Sequence, residues 1–250
     1  MAQKPRSAEM HPGPGFRVNV DIPRLPSTFM THFAEFATPD ISDLLNRLYA
    51  VDAGITCLTG DHRLCGPALT VKVFPGDNLM VHKSLDVAQP GDVVVVDARA
   101  STMNAVVGDI ISTKAKHRGI AGFILDGLVR DLPAIQALDF PIFARGTTSI
   151  GPLHRGPGEI GYPICCGGVV VNPGNIVIAD AAGVVIIPQD IAHELLHRLN
   201  AYRAANAAYL EDVKQGKFSN QWVDGLLQAG GCPIEGGTVP ISVIADEGPR

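Results

Sequence analysis

The chain has 250 residues, of which 46% are hydrophobic, and this is enough to bury a substantial core in one large domain. Its formal net charge of −5, from 20 basic and 25 acidic residues, provides no positive field for phosphates, so we expect no nucleic-acid partner. No apolar stretch approaches the roughly 20 residues that cross a membrane, and residues 1–26 contain no signal-peptide core, so we expect a cytoplasmic protein with no membrane partner.

The N-terminal segment, residues 1–34, carries five prolines among its first 26 residues. This composition predicts an arm that is disordered or laid across a neighbouring subunit. We expect the folded domain over residues 35–215 and a tail over 216–250 that becomes glycine-rich from Gly230. The five cysteines form no C-x-x-C pair, so reduced thiols are expected.

The domain is predicted to begin with an amphipathic helix over residues 38–48, where a capping threonine precedes a proline. Extended and helical patterns then alternate along the chain. The predicted strands are 68–74, 92–97 and 119–125, and the predicted helices between them are 78–88 and 103–118. This alternation predicts an α/β fold with right-handed crossovers.

After residue 140 the pattern becomes mainly β. Short runs over 167–171, 175–179 and 183–187 leave no room for helices between them and predict a β meander or a partly closed barrel. A helical region over 189–214 follows as a C-terminal extension. The G-x-G-x-x-G pattern at 156–161 is predicted to be a loop, because Tyr162-Pro163 follows where a dinucleotide site needs a helix.

The stretch His193-Glu194-Leu195-Leu196-His197 matches the H-E-x-x-H pattern of zinc proteases. On a helical wheel the two histidines lie opposite the apolar face, which indicates a solvated polar face rather than a zinc site. The metzincin extension is also absent, because Asn200 and Arg203 stand where it needs glycine and histidine.

The strongest functional signal is Asp109, followed after 20 residues by the pair Arg130-Asp131. The pair comes after the predicted strand 119–125. The chain is predicted to turn beyond Asp126-Gly127, and a helix is predicted over 131–138. Arg130 and Asp131 should therefore lie beyond the carboxyl end of a strand, where open sheets commonly bind ligands. One helix and one strand return the chain to the same edge, so the carboxylate of Asp109 is expected to face Asp131 across a pocket. Two carboxylates and an arginine suit a hard ion such as Mg²⁺ or Mn²⁺.

At these residues the sequence resembles the RraA-like family, which includes 4-hydroxy-4-methyl-2-oxoglutarate/4-carboxy-4-hydroxy-2-oxoadipate aldolases. The resemblance covers roughly residues 35–215. Besides Asp109 and Arg130-Asp131, the matching blocks are Gly76-Asp77-Asn78-Leu79 with His82-Lys83, Pro90 to Asp97, Gly119 to Gly127 and Phe140 to Thr148.

The resemblance implies a β/β/α swivelling-domain core, with the N-terminal arm and C-terminal helical extension added to it. It also implies a homotrimer or homohexamer with active sites at subunit boundaries, and a lyase of aromatic-compound catabolism that uses a divalent metal without a lysine Schiff base. Asp131 would bind the metal, Arg130 the pyruvyl end of the substrate, and Gly108, Asp109, Ile110 and Ile111 would line the substrate site. Asp109 would reach the metal through water.

Two departures from the family pattern concern the substrate. Where family aldolases carry a glycine-rich segment, this chain has Arg99, which either clamps a second carboxylate of the substrate or pairs with a surface acid. The glutamate that family aldolases borrow from a neighbouring subunit is also missing, because Asn206-Ala207 stands there, with Glu211 one turn away.

The resemblance therefore implies metal-dependent retro-aldol cleavage of a 4-hydroxy-2-oxo acid or diacid, with release of pyruvate. Oxaloacetate decarboxylation passes through the same enolate and is expected as a side activity. Two alternatives stay open: a non-catalytic regulator that binds an RNA-processing endonuclease, and another lyase reaction on a different oxo acid. The non-catalytic relatives lack the metal-binding aspartate, whereas this chain has Asp131.

Overall fold

A computed structural model describes residues 9–233 and residue 236 of the chain. In this part of the chain the strands are β1 (Phe16–Val18), β2 (Thr56–Cys57), β3 (Leu64–Val73), β4 (Val93–Asp97), β5 (Ala105–Val107), β6 (Gly122–Val129), β7 (Ile142–Thr147), β8 (Gly158–Ile160), β9 (Ile164–Cys166), β10 (Val169–Val171), β11 (Ile176–Asp180) and β12 (Gly183–Ile187). The α-helices are α1 (Ser27–Met30), α2 (Thr38–Leu44), α3 (Leu79–Val87), α4 (Asp109–His117), α5 (Leu132–Ala137), α6 (Ala192–Lys214) and α7 (Gln221–Ala229), and short 3-10 helices cover Thr31–Glu35 and Gln189–Ile191.

The centre of the main sheet consists of the parallel strands β3, β4, β6 and β7, joined by helical crossovers. Strand β8 pairs with the outer edge of β3, β2 pairs with β7, and the hairpin of β11 and β12 adds to β3. The four valines of β4 are completely buried, as is typical of a parallel strand covered on both faces.

Alternate residues of β4 point into different cores. Val94 and Val96 pack with the side chains of α3, α4 and α5, whereas Val93 and Val95 pack with those of β9 to β12. This alternation follows from the two-residue period of a strand. The molecule thus has helices on one face of the main sheet and a second β layer on the other, which is the layering expected for a β/β/α core.

The predicted helix over 103–118 is wrong in its first half. Residues Ala105–Val107 form β5, which pairs with Leu128 and Val129 of β6, and α4 begins only at Asp109. Gly108 lies between them in an extended conformation. Two buried β-branched residues before a glycine favour a strand that stops there, and their burial against β6 outweighs the helical spacing.

Strand β6 ends later than the predicted strand 119–125, because it continues through Asp126 and Gly127 to Val129, and the predicted turn follows at Arg130 and Asp131. The Asp126 carboxylate is accommodated inside the sheet, where it accepts hydrogen bonds from the Arg145 guanidinium and from Gly167 N. A buried carboxylate is stable in a strand when its oxygens are paired in this way.

The later β segment forms two hairpins, one of β9 with β10 and one of β11 with β12, rather than one continuous meander or closed barrel. The antiparallel pairing of β11 with β3 draws the second hairpin into the main sheet. The segment 156–161, predicted to be a loop, contains β8, which is held by β3 on one side and by β1 on the other. Within the predicted N-terminal arm, residues Phe16–Val18 therefore pair with β8 of the same chain.

The chain divides into two units, Met1–Leu199 and Asn200–Arg250, while the division predicted at residues 34 and 215 stays a prediction. Within the second unit the structure shows the end of α6 and the helix α7, and most of the predicted tail from Gly230 lies outside the described residues. No described helix combines the length and the apolar character needed to span a membrane. The five cysteines are free thiols, as predicted.

Candidate active site

Arg130 and Asp131 directly follow β6 at its carboxyl end. Arg130 N donates a hydrogen bond to Val107 O at 3.0 Å, which ties the end of β6 to the end of β5. Asp131 then adopts a left-handed conformation, with φ of 58° and ψ of 36°, as the residue before α5. Aspartate adopts this conformation more readily than most residues. The reversal at Asp131 turns its carboxylate back toward the start of α4.

Asp109 approaches this pair from the first residue of α4. Asp109 N lies 3.4 Å from Asp131 Oδ2, and Arg130 Nε lies 3.3 Å from the same oxygen. A Cβ added to Gly108 would lie 2.5 Å from Asp131 Oδ2 and 3.1 Å from Arg130 Cγ. The structure thus brings Asp109, Arg130 and Asp131 together, with the backbone N of Asp109 rather than its carboxylate against Asp131, and glycine at 108 makes the approach possible.

A cavity of about 220 Å³ lies beside these residues. Its lining consists of Asn78, His82, Gly108, Asp109, Ile110, Ile111, Arg130, Pro152 and His154. All the predicted substrate-site residues except Arg99 line it. Asp131 lies at its edge, against Gly108 and Arg130, with a side chain 37% exposed.

Three polar residues of this lining were not predicted as site residues: Asn78, His82 and His154. Buried Asn78 donates from Nδ2 to Val106 O at 3.1 Å and pairs through Oδ1 with Nδ1 of His154 at 2.6 Å. Since Oδ1 can only accept, Nδ1 of His154 carries the donated proton, and the Nε2 edge is the part of the ring that remains for a ligand. Asn78 and His82 belong to a block that carries the family resemblance, whereas His154 lies in a loop with no comparable signal.

The loop that carries His154 is fixed to the start of α3 by backbone hydrogen bonds. Asn78 N donates to Leu153 O at 3.0 Å, and the buried carboxylate of Asp77 accepts from Leu79 N at 2.8 Å and from Arg155 N at 2.5 Å. These contacts place His154 so that its ring centroid is 5.5 Å from that of His82. The pKa of His82 is lowered, first by burial and then by the positive charges of His154 and Lys114.

Arg99 is the predicted site residue that the structure does not bring to Arg130. It lines a different cavity of about 540 Å³, together with Lys72, Asp97, Asp126 and Cys165. Arg99 and Ala100 both have positive φ, at 58° and 52°, and turn the chain back so that Arg99 N donates to Asp97 Oδ1 at 3.0 Å. Burial raises the pKa of Asp97, although hydrogen bonds from the backbone of Arg99 and Cys165 oppose this.

The donor set at Asp131 suits a hard divalent ion that keeps most of its waters. The described residues contain no cluster of three or more histidine, cysteine, aspartate or glutamate side chains able to enclose a metal. The partly exposed carboxylate of Asp131 has only long contacts through Oδ2, and the space kept open by Gly108 surrounds it. Mg²⁺ commonly binds through one or two carboxylates with water in the other positions.

The two other acidic candidates lie on α6. Glu194 of the H-E-x-x-H pattern pairs with Arg198 at 2.9 Å, and the ring of His193 stacks on Phe29 at 4.2 Å. Glu211 accepts a hydrogen bond from Gln215 one turn later at 2.9 Å. These contacts are those expected of exposed helix faces.

Comparisons with known proteins show the family to which the chain is similar. The family model named RraA-like, described as Aldolase/RraA, matches residues 38–186. A protein of Halalkalibacterium halodurans with the provisional name 4-hydroxy-4-methyl-2-oxoglutarate aldolase is 42% identical over 180 residues, which are 72% of this chain and 86% of that protein.

Two solved structures show how varied the names of similar proteins are. The Streptomyces coelicolor protein RraAS2, described as an unusual member of the RNase ES inhibitor RraA protein family, has a TM-score of 0.66 and 28% identity, covering 77% of this chain and 98% of that one. A Geobacillus kaustophilus protein, described as S-adenosylmethionine:2-dimethylmenaquinone methyltransferase, has a TM-score of 0.57 and 35% identity, covering 61% of this chain and 94% of that one. The predicted RraA-like α/β fold is confirmed, and function has to be argued from the site.

Proposed function

Because the chain belongs to the RraA-like (Aldolase/RraA) family, we propose that it is a lyase that cleaves a 4-hydroxy-2-oxo acid or diacid by a retro-aldol reaction and releases pyruvate. The observation that carries this proposal is the meeting of Asp109, Arg130 and Asp131 beside a cavity. Similar proteins with aldolase names support it. Oxaloacetate decarboxylation is proposed as a side activity, since it forms the same pyruvate enolate.

Arg130 is proposed to bind the pyruvyl end of the substrate. Its guanidinium is held between two glycines, because a Cβ on Gly151 would lie 2.5 Å from Arg130 Nη1 and a Cβ on Gly108 would lie 3.2 Å from Nε. A guanidinium confined in this way presents its donors in a fixed plane, which suits a carboxylate and an adjacent oxo group. Negative charge that develops on the C2 oxygen would then meet a positive charge already in place.

Asp131 is proposed to hold the divalent ion, Mg²⁺ or Mn²⁺, with Asp109 acting through water. When bound, such an ion supplies a second positive charge that polarises the 2-oxo group. The chain contributes the left-handed turn at Asp131 and the space beside Gly108. Together these allow the carboxylate of Asp131 to face the substrate.

The proton of the C4 hydroxyl must leave as the C3–C4 bond breaks. We assign its removal to Asp109, or to a water that Asp109 orients, because Asp109 is among the residues that line the cavity. The O–H electrons form the new C4 carbonyl, and the C3–C4 electrons pass into the pyruvate enolate, whose oxygen lies against Arg130. Return of the abstracted proton from Asp109, or from its water, to C3 then gives pyruvate and restores the base.

Assembly as a homotrimer or homohexamer, with the site at a boundary between copies, is part of the proposal. Ile110, Ile150 and Leu153 are each more than half exposed close to the cavity. Apolar side chains grouped in this way commonly mark an interface. Burial by a second copy would also remove water from the site.

The non-catalytic alternative is a regulator that binds an RNA-processing endonuclease, and the names of similar inhibitor structures favour it. The experiment that separates the two is a lactate-dehydrogenase-coupled assay of purified protein with 4-hydroxy-2-oxo diacids and added Mg²⁺ or Mn²⁺. Pyruvate release supports the lyase. Protein that releases no pyruvate with either ion, yet inhibits a purified endonuclease, would establish the regulator instead.

A further inference from the structure

A second cavity of about 360 Å³ lies between α3 and α4 and adjoins the candidate site at His82. Both cavities contain His82 in their walls. The further residues of the second cavity are Leu85, Asp86, Lys114, His117 and Arg118. We use the name α3–α4 groove for this set of six residues, including His82.

One face of α4 connects the site to the groove. Ile110, Lys114 and His117 are spaced at i, i+4 and i+7, so they follow one another along the same side of the helix. At 1.5 Å per residue, Lys114 lies about 7.5 Å further along the axis than Asp109, and His117 about 12 Å further. A ligand that begins at Arg130 therefore reaches Lys114 only if several atoms extend beyond its reacting carbons.

The charges of the groove leave one permanent cation without a partner. Asp86 is shared between Lys83 and Arg118, at 3.3 Å and 2.8 Å, and Arg118 also donates to Leu85 O at 2.6 Å. In the described part of the chain, no hydrogen bond or ion pair engages the ammonium of Lys114. An unpaired cation in a concave surface, within a chain of net charge −5, favours a single negative charge on a ligand.

The surroundings of His82 also favour a negatively charged ligand. Its pKa is lowered by burial and then by the positive charges of His154 and Lys114. These like charges around a half-buried ring are not neutralised by the groove's acid, Asp86, which its own two cations already engage. An anion placed beside both residues, which line the same cavity, would be attracted by the ammonium of Lys114 and would favour the protonated form of His82.

From this geometry we infer that the α3–α4 groove binds a terminal carboxylate on the non-pyruvyl half of the substrate, with Lys114 as the residue that determines specificity. The preferred substrate is then an elongated 4-hydroxy-2-oxo diacid. A carboxylate rather than a phosphate is assigned because one singly charged group matches the one unpaired ammonium. The inference rests on the proposed function for the location of the pyruvyl end at Arg130.

The test measures binding rather than turnover. The probes are 2-oxo diacids of increasing chain length without a 4-hydroxyl group, which cannot undergo retro-aldol cleavage, together with 2-oxo monoacids of matched length. Calorimetry with Mg²⁺ present should show that the protein binds a long diacid about tenfold more tightly than its matched monoacid, as expected for a charge-assisted hydrogen bond. Lys114→Met should remove this preference.

Lys116→Met is the matched control, since it removes the same charge from the same helix. Lys116 lies outside the groove, where its ammonium contacts the carbonyl oxygens of Leu138 and Asp139, so the diacid preference should survive. A preference that persists in Lys114→Met, an absent preference in the unmodified protein, or tighter binding of phosphate-ended analogues would overturn the inference. A lost preference in Lys114→Met, combined with no pyruvate from the 4-hydroxy substrates, would refute the proposed function and leave the groove as a diacid site.

Discussion

Gly108 and Asp131 approach so closely that a single methyl group on the glycine would lie 2.5 Å from the carboxylate oxygen Oδ2 of Asp131. Gly108 has φ of −141° and ψ of −167°, an extended conformation that any residue adopts. The glycine is therefore needed for space rather than for backbone freedom. The absence of a side chain at Gly108 lets the start of α4, which carries Asp109, lie against the turn before α5, which carries Asp131.

Gly108→Ala is expected to lower kcat/KM for pyruvate release by about a hundredfold, because the added methyl group displaces Asp131 and Arg130 by a fraction of an ångström to an ångström. The melting temperature should fall only modestly, since the alanine takes an ordinary backbone conformation and the atoms it would meet belong to the partly exposed side chains of Asp131 and Arg130. The measurement is coupled pyruvate release together with thermal denaturation.

Gly225→Ala provides the control for Gly108→Ala. Gly225 lies in α7, and no other atom lies within 4 Å of a Cβ added there, so its replacement should leave turnover unchanged. Full activity in Gly108→Ala would show that the position of Asp131 does not matter for the reaction.

Asp131→Asn is expected to abolish pyruvate release and to weaken Mn²⁺ binding at least tenfold, because the amide retains the shape and tolerates the left-handed turn but lacks the negative charge. Ion binding is measured by titration calorimetry, which gives a readout independent of activity. Protein stripped with EDTA should lose turnover in the same way and regain it with Mg²⁺ or Mn²⁺.

Asp139→Asn is the matched control for the change at Asp131. Asp139 also has a positive φ, 48°, and its side chain is 88% exposed, so this variant should bind the ion and release pyruvate normally. Unchanged Mn²⁺ affinity in Asp131→Asn would remove this aspartate from the metal site, and turnover that survives EDTA would remove the metal from the reaction.

Arg130→Lys is expected to lower kcat by about a hundredfold or more, since a lysine cannot present two coplanar donors to the developing oxyanion. Arg99→Lys serves as the comparison, because Arg99 lines the cavity with Lys72 and Asp97 rather than the one with Arg130. The kcat of both variants is measured by steady-state kinetics with one 4-hydroxy-2-oxo diacid. Equal losses in the two variants would show that the reaction does not depend on Arg130 more than on Arg99.

The parts of the fold that could be predicted are those that depend on local pattern. Four consecutive valines predicted a buried strand, and β4 is that strand. The meeting of Asp109 with Arg130-Asp131 could be predicted because it follows from chain order and the handedness of crossovers. A strand pattern does not say which layer each face meets, so the separation of Val93 and Val94 into two cores was not predictable.

The missed features depend on contacts between distant parts of the chain. The local pattern around Val106 and Val107 predicts a helix, and only their pairing with the distant strand β6 makes this segment a strand. His154 enters the site because its loop bonds to Asn78, 76 residues earlier, and no local pattern encodes this. For Arg99 the sequence left open a substrate clamp or a pair with a surface acid, and its place in another cavity depends on two left-handed residues that direct its backbone N to Asp97.

The last prediction concerns stability and its dependence on pH. Glu159 in β8 is 6% exposed and accepts hydrogen bonds from Gly15 N at 3.0 Å, Arg17 Nε at 2.6 Å and Lys72 Nζ at 3.3 Å. Burial alone would raise the pKa of Glu159, but these three donors outweigh burial, and the pKa is lowered from its ordinary value of 4.5.

A carboxyl group whose folded pKa is lowered contributes stability that is fully present above its unfolded value and is lost as the pH falls through the folded one. Glu159→Gln should therefore lower the free energy of unfolding by about 1–3 kcal/mol at pH 7, with the difference shrinking below pH 4.5. Urea denaturation at several pH values measures this. Glu194→Gln, which breaks an exposed pair with Arg198, should cost less than about 0.5 kcal/mol. A Glu159→Gln deficit that stays constant from pH 7 to about pH 3 would show that charge at Glu159 does not bind the N-terminal segment to β8.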